Sequence, residues 1–122
     1  VLFDDYVLKQ IQKIAQLVAG IATRGAGPSE EDLEAELASA HRDLVGLDPA
    51  LADRMDVASL ARLLGDAERV RAYALLTQAR GDLGAAHDPH AASRLYERAW
   101  SLLYHADDPE LRAALAARLG RG

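Results

Sequence analysis

Cysteine is absent from the 122-residue chain, which excludes disulfides, thiolate metal sites and thiol catalysis together. Asparagine is absent too, and Ala and Arg are abundant, a pattern of codon usage that carries no functional weight. No apolar run approaches the roughly 20 residues of a membrane span, and no segment resembles a signal peptide, so the expected compartment is the cytoplasm. An excess of positive charge is missing as well. The net charge of −5 argues against a general nucleic-acid binder, because phosphate neutralisation needs a basic surface. Val, Ile and Thr cluster only in the first 24 residues, too sparse a supply of strand formers for a sheet. What is present, half hydrophobic and about a quarter charged residues, has the balance of one soluble globular domain. The chain opens on Val1 rather than Met, and a trimmed upstream segment is expected.

Three compositional blocks follow one another. Every isoleucine (Ile11, Ile14, Ile21) and both lysines (Lys9, Lys13) lie in residues 1–24. Residues 25–65 hold nine acids against three arginines, whereas from Asp66 onward eight acids balance eight arginines. The expected organisation is an amphipathic N-terminal helix over 1–24, a breaker over 25–29 (Gly25-Ala26-Gly27-Pro28 and the cap Ser29), and a helical domain over 30–122.

The punctuation is helical throughout. Asp4 is placed to cap the first helix, with Phe3 and Leu8 at the two positions of a hydrophobic staple, and Gly25 to end it. Ser29 precedes Glu30-Glu31-Asp32, acids set against the positive end of a helix dipole. Asp-Pro occurs three times, at Asp48-Pro49, Asp88-Pro89 and Asp108-Pro109. Asp at the cap with Pro at the first helical position is a strong start signal, since proline lacks the amide that would go unbonded there. Asp56 and Asp66 predict two further starts, and Gly46, Gly65, Gly81 and Gly120 predict stops. Six or seven helices and no strand make the expected class all-α.

The first helix is the most informative segment. Val7, Ile11, Ile14, Val18 and Ile21 recur at spacings of four, three, four and three, the a/d seam of a coiled coil. Polar Lys9, Gln10, Gln12, Lys13 and Gln16 fill the opposite face. Two readings follow. The seam packs on the rest of the fold, as most amphipathic helices do, or it joins two copies of the chain, or a partner helix, beyond the Gly-Pro breaker. The second predicts a homodimer through these five residues. Membrane-surface binding is disfavoured, because two lysines and one arginine make a poor polybasic face.

From Val70 to Tyr104 the residues resemble one degenerate tetratricopeptide repeat. Tyr73-Ala74-Leu75-Leu76 stands where that family has its aromatic-x-x-Leu. Ala92-Ser93-Arg94-Leu95-Tyr96 followed by Ala99 matches the Ala-x-x-x-aromatic-x-x-Ala of its second helix, with small Ala92 and Ala99 allowing close approach and Tyr96 filling the gap. Thr77 departs from the family's small glycine, Arg80 from its second aromatic, and the turn near Leu83-Gly84-Ala85-Ala86 carries extra residues. The order of segments also resembles a group of uncharacterised bacterial proteins, through Asp5-Tyr6-Val7-Leu8-Lys9-Gln10-Ile11 and the stretch from Gly46 to Leu64. These resemblances imply a helical-repeat scaffold that binds peptides or helices, with no assigned chemistry.

Candidate chemistry is thin. Glu30-Glu31-x-x-Glu34 has the spacing of the carboxylate cluster in all-α nucleotide pyrophosphohydrolases, which the chain resembles in size and class. Glu30 and Glu34 share a helix face and could hold Mg²⁺, with Asp53-Arg54-Met55-Asp56 as the nearest second carboxylate pair. Acids in a first helical turn are, however, favoured with no metal at all. His87-Asp88-Pro89-His90 offers a ligand pair in a turn where Asp88 already serves as a cap, and together with His41 and Asp107 it resembles the scattered His and Asp of helical phosphohydrolases. No Gly-x-Ser-x-Gly elbow and no phosphate-binding glycine loop occur. Trp100 is predicted to anchor packing between successive helix pairs. The expectation is therefore a non-catalytic protein–protein interaction module, homodimeric and without a cofactor. A Mg²⁺-dependent nucleotide hydrolase using Glu30, Glu31, Glu34 and Asp56 is the alternative.

Overall fold

The structure is a computed structural model that describes residues 4–24 and 29–121, with side chains described for 6–19 and 29–121. The described residues form seven helices and no strand: α1 (Asp4–Arg24), α2 (Glu30–Val45), α3 (Pro49–Ala52), α4 (Val57–Leu64), α5 (Ala67–Gly84), α6 (Pro89–Leu102) and α7 (Pro109–Leu119). The Phe3–Leu8 staple, the cap at Gly25, the Gly-Ala-Gly-Pro breaker and the side chain of Ile21 lie outside the described residues.

Local chemistry sets most of the boundaries. The amide of Asp32 donates to Ser29 Oγ at 3.1 Å. Asp56, Asp66, Asp88 and Asp108 accept in the same way from the amides of Ser59, Arg69, Ala91 and Leu111, at 2.9–3.0 Å. Each bond satisfies a donor that has no partner inside the helix. Asp48 makes no side-chain cap; its carbonyl instead takes the amides of Leu51 and Ala52. Gly46 closes α2 in the left-handed region, at φ 82°, with its amide on the Arg42 carbonyl.

Gly81 corrects one expectation. It does not stop a helix but lies inside α5, which runs on to Gly84. A Cβ at Gly81 would come within 2.6 Å of the Tyr96 ring, so the missing side chain is what lets α6 lay its aromatic against α5.

α5 is the central element. Its buried residues, Val70, Ala72, Tyr73, Ala74, Leu76, Thr77, Gln78, Ala79, Gly81 and Leu83, lie all round the helix rather than along one stripe, the mark of a helix enclosed by others. It packs most extensively on α6, and also on α1, α2 and α4; α7 packs on α6. Thr77, mid-helix and fully buried, returns its hydroxyl proton to the Tyr73 carbonyl at 2.8 Å and so leaves no orphan donor.

The α1 seam belongs to this core. Ile11, Ile14 and Val18 are 0%, 2% and 5% exposed, covered by α5 and α2, and Val7 is half-buried against the same cluster. The seam has thus taken the first of its two expected roles, packing on its own chain. Among the described side chains of the seam, only Val7 keeps part of its surface exposed.

Candidate functional site

The carboxylates and histidines of the alternative, metal-dependent reading are dispersed. Glu30 is paired with His87, whose Nε2 lies 2.9 Å from Glu30 Oε2. Asp56 is occupied as the cap of α4, accepting from both the amide and the hydroxyl of Ser59. Asp53, its intended companion, faces instead toward α5, where Arg80 forks onto both of its oxygens at 3.1 and 2.8 Å. Among the described residues no group of three His, Asp or Glu side chains could hold a metal ion. His41 lies deep in α2, at 0% exposure, whereas His87 and His90 are exposed.

The His41 burial has a specific chemistry. Its Nε2 lies 2.7 Å from the Tyr73 hydroxyl, and the two rings meet edge to face. Burial, and next the charge of Arg80, hold the imidazole below its ordinary pKa against the pull of the Leu47 backbone and then of Asp53 and Asp48. Burial likewise pushes the Tyr73 phenol up. Burial would raise the Asp53 carboxyl, but hydrogen bonds from Arg80, with the charges of Arg80 and Arg98, leave it below the usual carboxylate value. The cluster is therefore a neutral His–Tyr pair behind a charged Arg–Asp pair. Neither His41 nor Tyr73 reaches solvent, so the pair serves packing and orientation.

A second network ties the last three helices together. Tyr96 donates its hydroxyl proton to Asp82 Oδ1 at 2.7 Å, and Arg118 of α7 forks onto both Asp82 oxygens at 2.7 and 2.9 Å. Burial, and next the Asp82 hydrogen bond, raise the Tyr96 pKa. This holds α7 at a defined angle on α6 and leaves the outer side of α7 uncovered.

That outer side is the most distinctive surface of the molecule. Trp100 of α6, Pro109 and three alanines of α7 (Ala113, Ala116, Ala117) line an open trough of about 600 Å³, edged by Arg112 and Arg121. The Arg112 guanidinium lies 4.9 Å from the centre of a Trp100 ring and 5.3 Å from that of Tyr104, and Arg121 lies 5.4 Å from Trp100. Arg121 also pairs with Glu97, one turn before Trp100. Arg112 is fixed in place by a bond to the Leu103 carbonyl at 2.9 Å. Tyr104 is 73% exposed. Trp, Tyr and Arg are the residue types that concentrate binding energy at interfaces. The sequence marked Trp100 as an anchor, but Arg112 and Arg121 carried no signal of their own.

No known protein family matches the chain, and no curated protein or solved structure is significantly similar to it.

Proposed function

We propose that the chain is a non-catalytic protein–protein interaction module that self-associates, and that the copies meet on the α6–α7 face. The observation that carries this reading is the trough itself: an apolar floor, a half-buried tryptophan held between two arginines, and a helix whose outer alanines let another helix come close. Both signs of charge lie at the trough: Arg112 and Arg121 line it, and Glu97 pairs with Arg121. A two-fold copy can therefore set its own acid on a facing arginine, as an isologous interface requires. The α1 seam is not used in this reading, because Ile11, Ile14 and Val18 are already covered.

A tetratricopeptide-like reading of the C-terminal half supports the same conclusion. Ala92 and Ala99 are buried, and Tyr96 sits against Gly81. In such an array each helix pair buries its open side on the next. α7 would then be the first helix of a following pair, and its uncovered side would await a helix.

Sedimentation velocity over a wide concentration range tests the proposal. The expected result is a monomer–dimer equilibrium that Ala117→Arg, which adds bulk and a like charge beside Arg121, shifts to monomer with helical circular dichroism unchanged. Ala58→Arg, on exposed α4 surface, should leave the dimer intact. A wild-type chain that is monomeric throughout, or a dimer indifferent to Ala117→Arg, overturns it.

A further inference from the structure

A cleft of about 440 Å³ opens between the exit of α3, α5 and α6, lined by Asp53, Arg80, Ala91, Arg94, Leu95 and Arg98. We infer that it is an anion site for a phosphoryl dianion, either inorganic phosphate or a phosphate monoester. Three guanidiniums face one carboxylate there, so the lining carries a net charge of +2. Asp53 is fully engaged by the Arg80 fork. Arg98 donates to the Ala52 carbonyl at 2.8 Å and interacts with the Tyr73 hydroxyl and the Asp53 carboxylate, while its buried Nε makes no hydrogen bond. Arg94 lies one turn earlier on α6, on the same helix face, and among the described residues no hydrogen bond or ion pair engages it.

Arg94 has no counter-ion and Arg98 shares the single carboxylate of Asp53 with Arg80, so the cleft keeps an excess of positive charge that a tetrahedral dianion balances. Guanidinium forks match phosphate oxygens in geometry as well as charge. A carboxylate monoanion would leave one positive charge unbalanced. The ester arm also has room. A neighbouring cavity of about 240 Å³ shares Arg80 and Leu95 with the cleft and is walled mainly by Leu37, Pro49 and Leu83, with the Glu34 carboxylate also in its lining.

The test is a titration of the ¹⁵N-labelled full chain with inorganic phosphate, phenyl phosphate and acetate at constant ionic strength, read at the arginine Nε–Hε resonances. Saturable shifts at Arg94 and Arg98 with phosphate but not acetate are expected. Tighter binding of phenyl phosphate assigns the site to a monoester, and equal binding assigns it to the free ion. Affinity for the monoester should fall as pH drops below its second ionisation, near pH ~6. Arg94→Ala should weaken binding by about tenfold to a hundredfold, Arg94→Glu should abolish it, and Arg42→Ala on α2 should leave it unchanged. Arg94 is exposed and bears no packing load, so loss of binding in a folded variant is informative even if an Arg98 variant does not fold. Shifts that never saturate, equal binding of acetate, or binding that survives Arg94→Glu overturns the assignment.

Discussion

At the scale of single residues, His41 and Gly81 show how a side chain, or its absence, is set by neighbours far along the chain. His41 is enclosed beside Tyr73, with Arg80 adding a repelling charge and the Leu47 backbone, Asp53 and Asp48 opposing it. Its folded pKa therefore lies below the ordinary 6.5. As the pH falls through 6.5 the unfolded chain takes up a proton that the folded chain refuses, so stability declines with falling pH until the folded imidazole also titrates. The expected melting temperature drops between pH 7 and pH 5. His41→Gln, which cannot titrate, should flatten that slope whatever its effect on the absolute midpoint. Asp53 acts in a separate window. Its depressed pKa contributes stability above its ordinary 3.8 that is lost only at more acid pH. Thermal melts across pH distinguish the two.

Gly81 and Gly84 make a matched pair on one helix. A methyl group at Gly81 would meet the Tyr96 ring at 2.6 Å, whereas nothing lies within 4 Å of one at Gly84. Gly81→Ala should cost about 1–3 kcal/mol through overpacking, even after its gain in helix propensity. Gly84→Ala should gain up to about 1 kcal/mol from propensity alone. Urea denaturation of both variants measures the difference, and a stabilised Gly81→Ala would contradict the close approach.

At the scale of elements, α1 is part of the core rather than an arm. Ile14 is almost fully buried between α1 and its neighbours, so Ile14→Ala should destabilise the entire chain by about 2–5 kcal/mol. Ile14→Asp, an unpaired charge in the same place, should prevent folding. A folded monomer from Ile14→Asp would contradict this placement. The helix starts were legible because Asp-Pro and Ser-x-x-Asp caps are local chemistry, read within four residues. What the seam packs against was not legible. An apolar stripe states that a face is covered but not by what, and only the enclosing arrangement around α5 decides it. The same limit explains Gly81, whose reason is Tyr96 on the next helix. It explains the arginine cleft as well: the i, i+4 pair Arg94 and Arg98 is legible on α6, but no spacing rule brings Asp53 and Arg80 from other parts of the chain to it.

At the scale of the whole molecule, one closed side and one open side follow from where α5 sits. α1, α2, α4 and α6 surround it. α7 is added at the edge, clamped by Arg118 on Asp82, and keeps its outer alanines beside Trp100. No described helix is long and apolar enough to cross a membrane. Trp100 is the single tryptophan, and its emission should move to shorter wavelength as concentration rises and the trough closes. A spectrum independent of concentration would count against pairing there.

Hydrogen–deuterium exchange at low and high protein concentration reads both sides of the molecule at once. The amides of α1 should be protected together with those of α5 at either concentration, as parts of one cooperative core. Those of α7 and the end of α6 should gain protection only at the higher one. The opposite pattern, with α1 protected only when the protein is concentrated and α7 indifferent, would return the meeting surface to Val7, Ile11, Ile14, Val18 and Ile21.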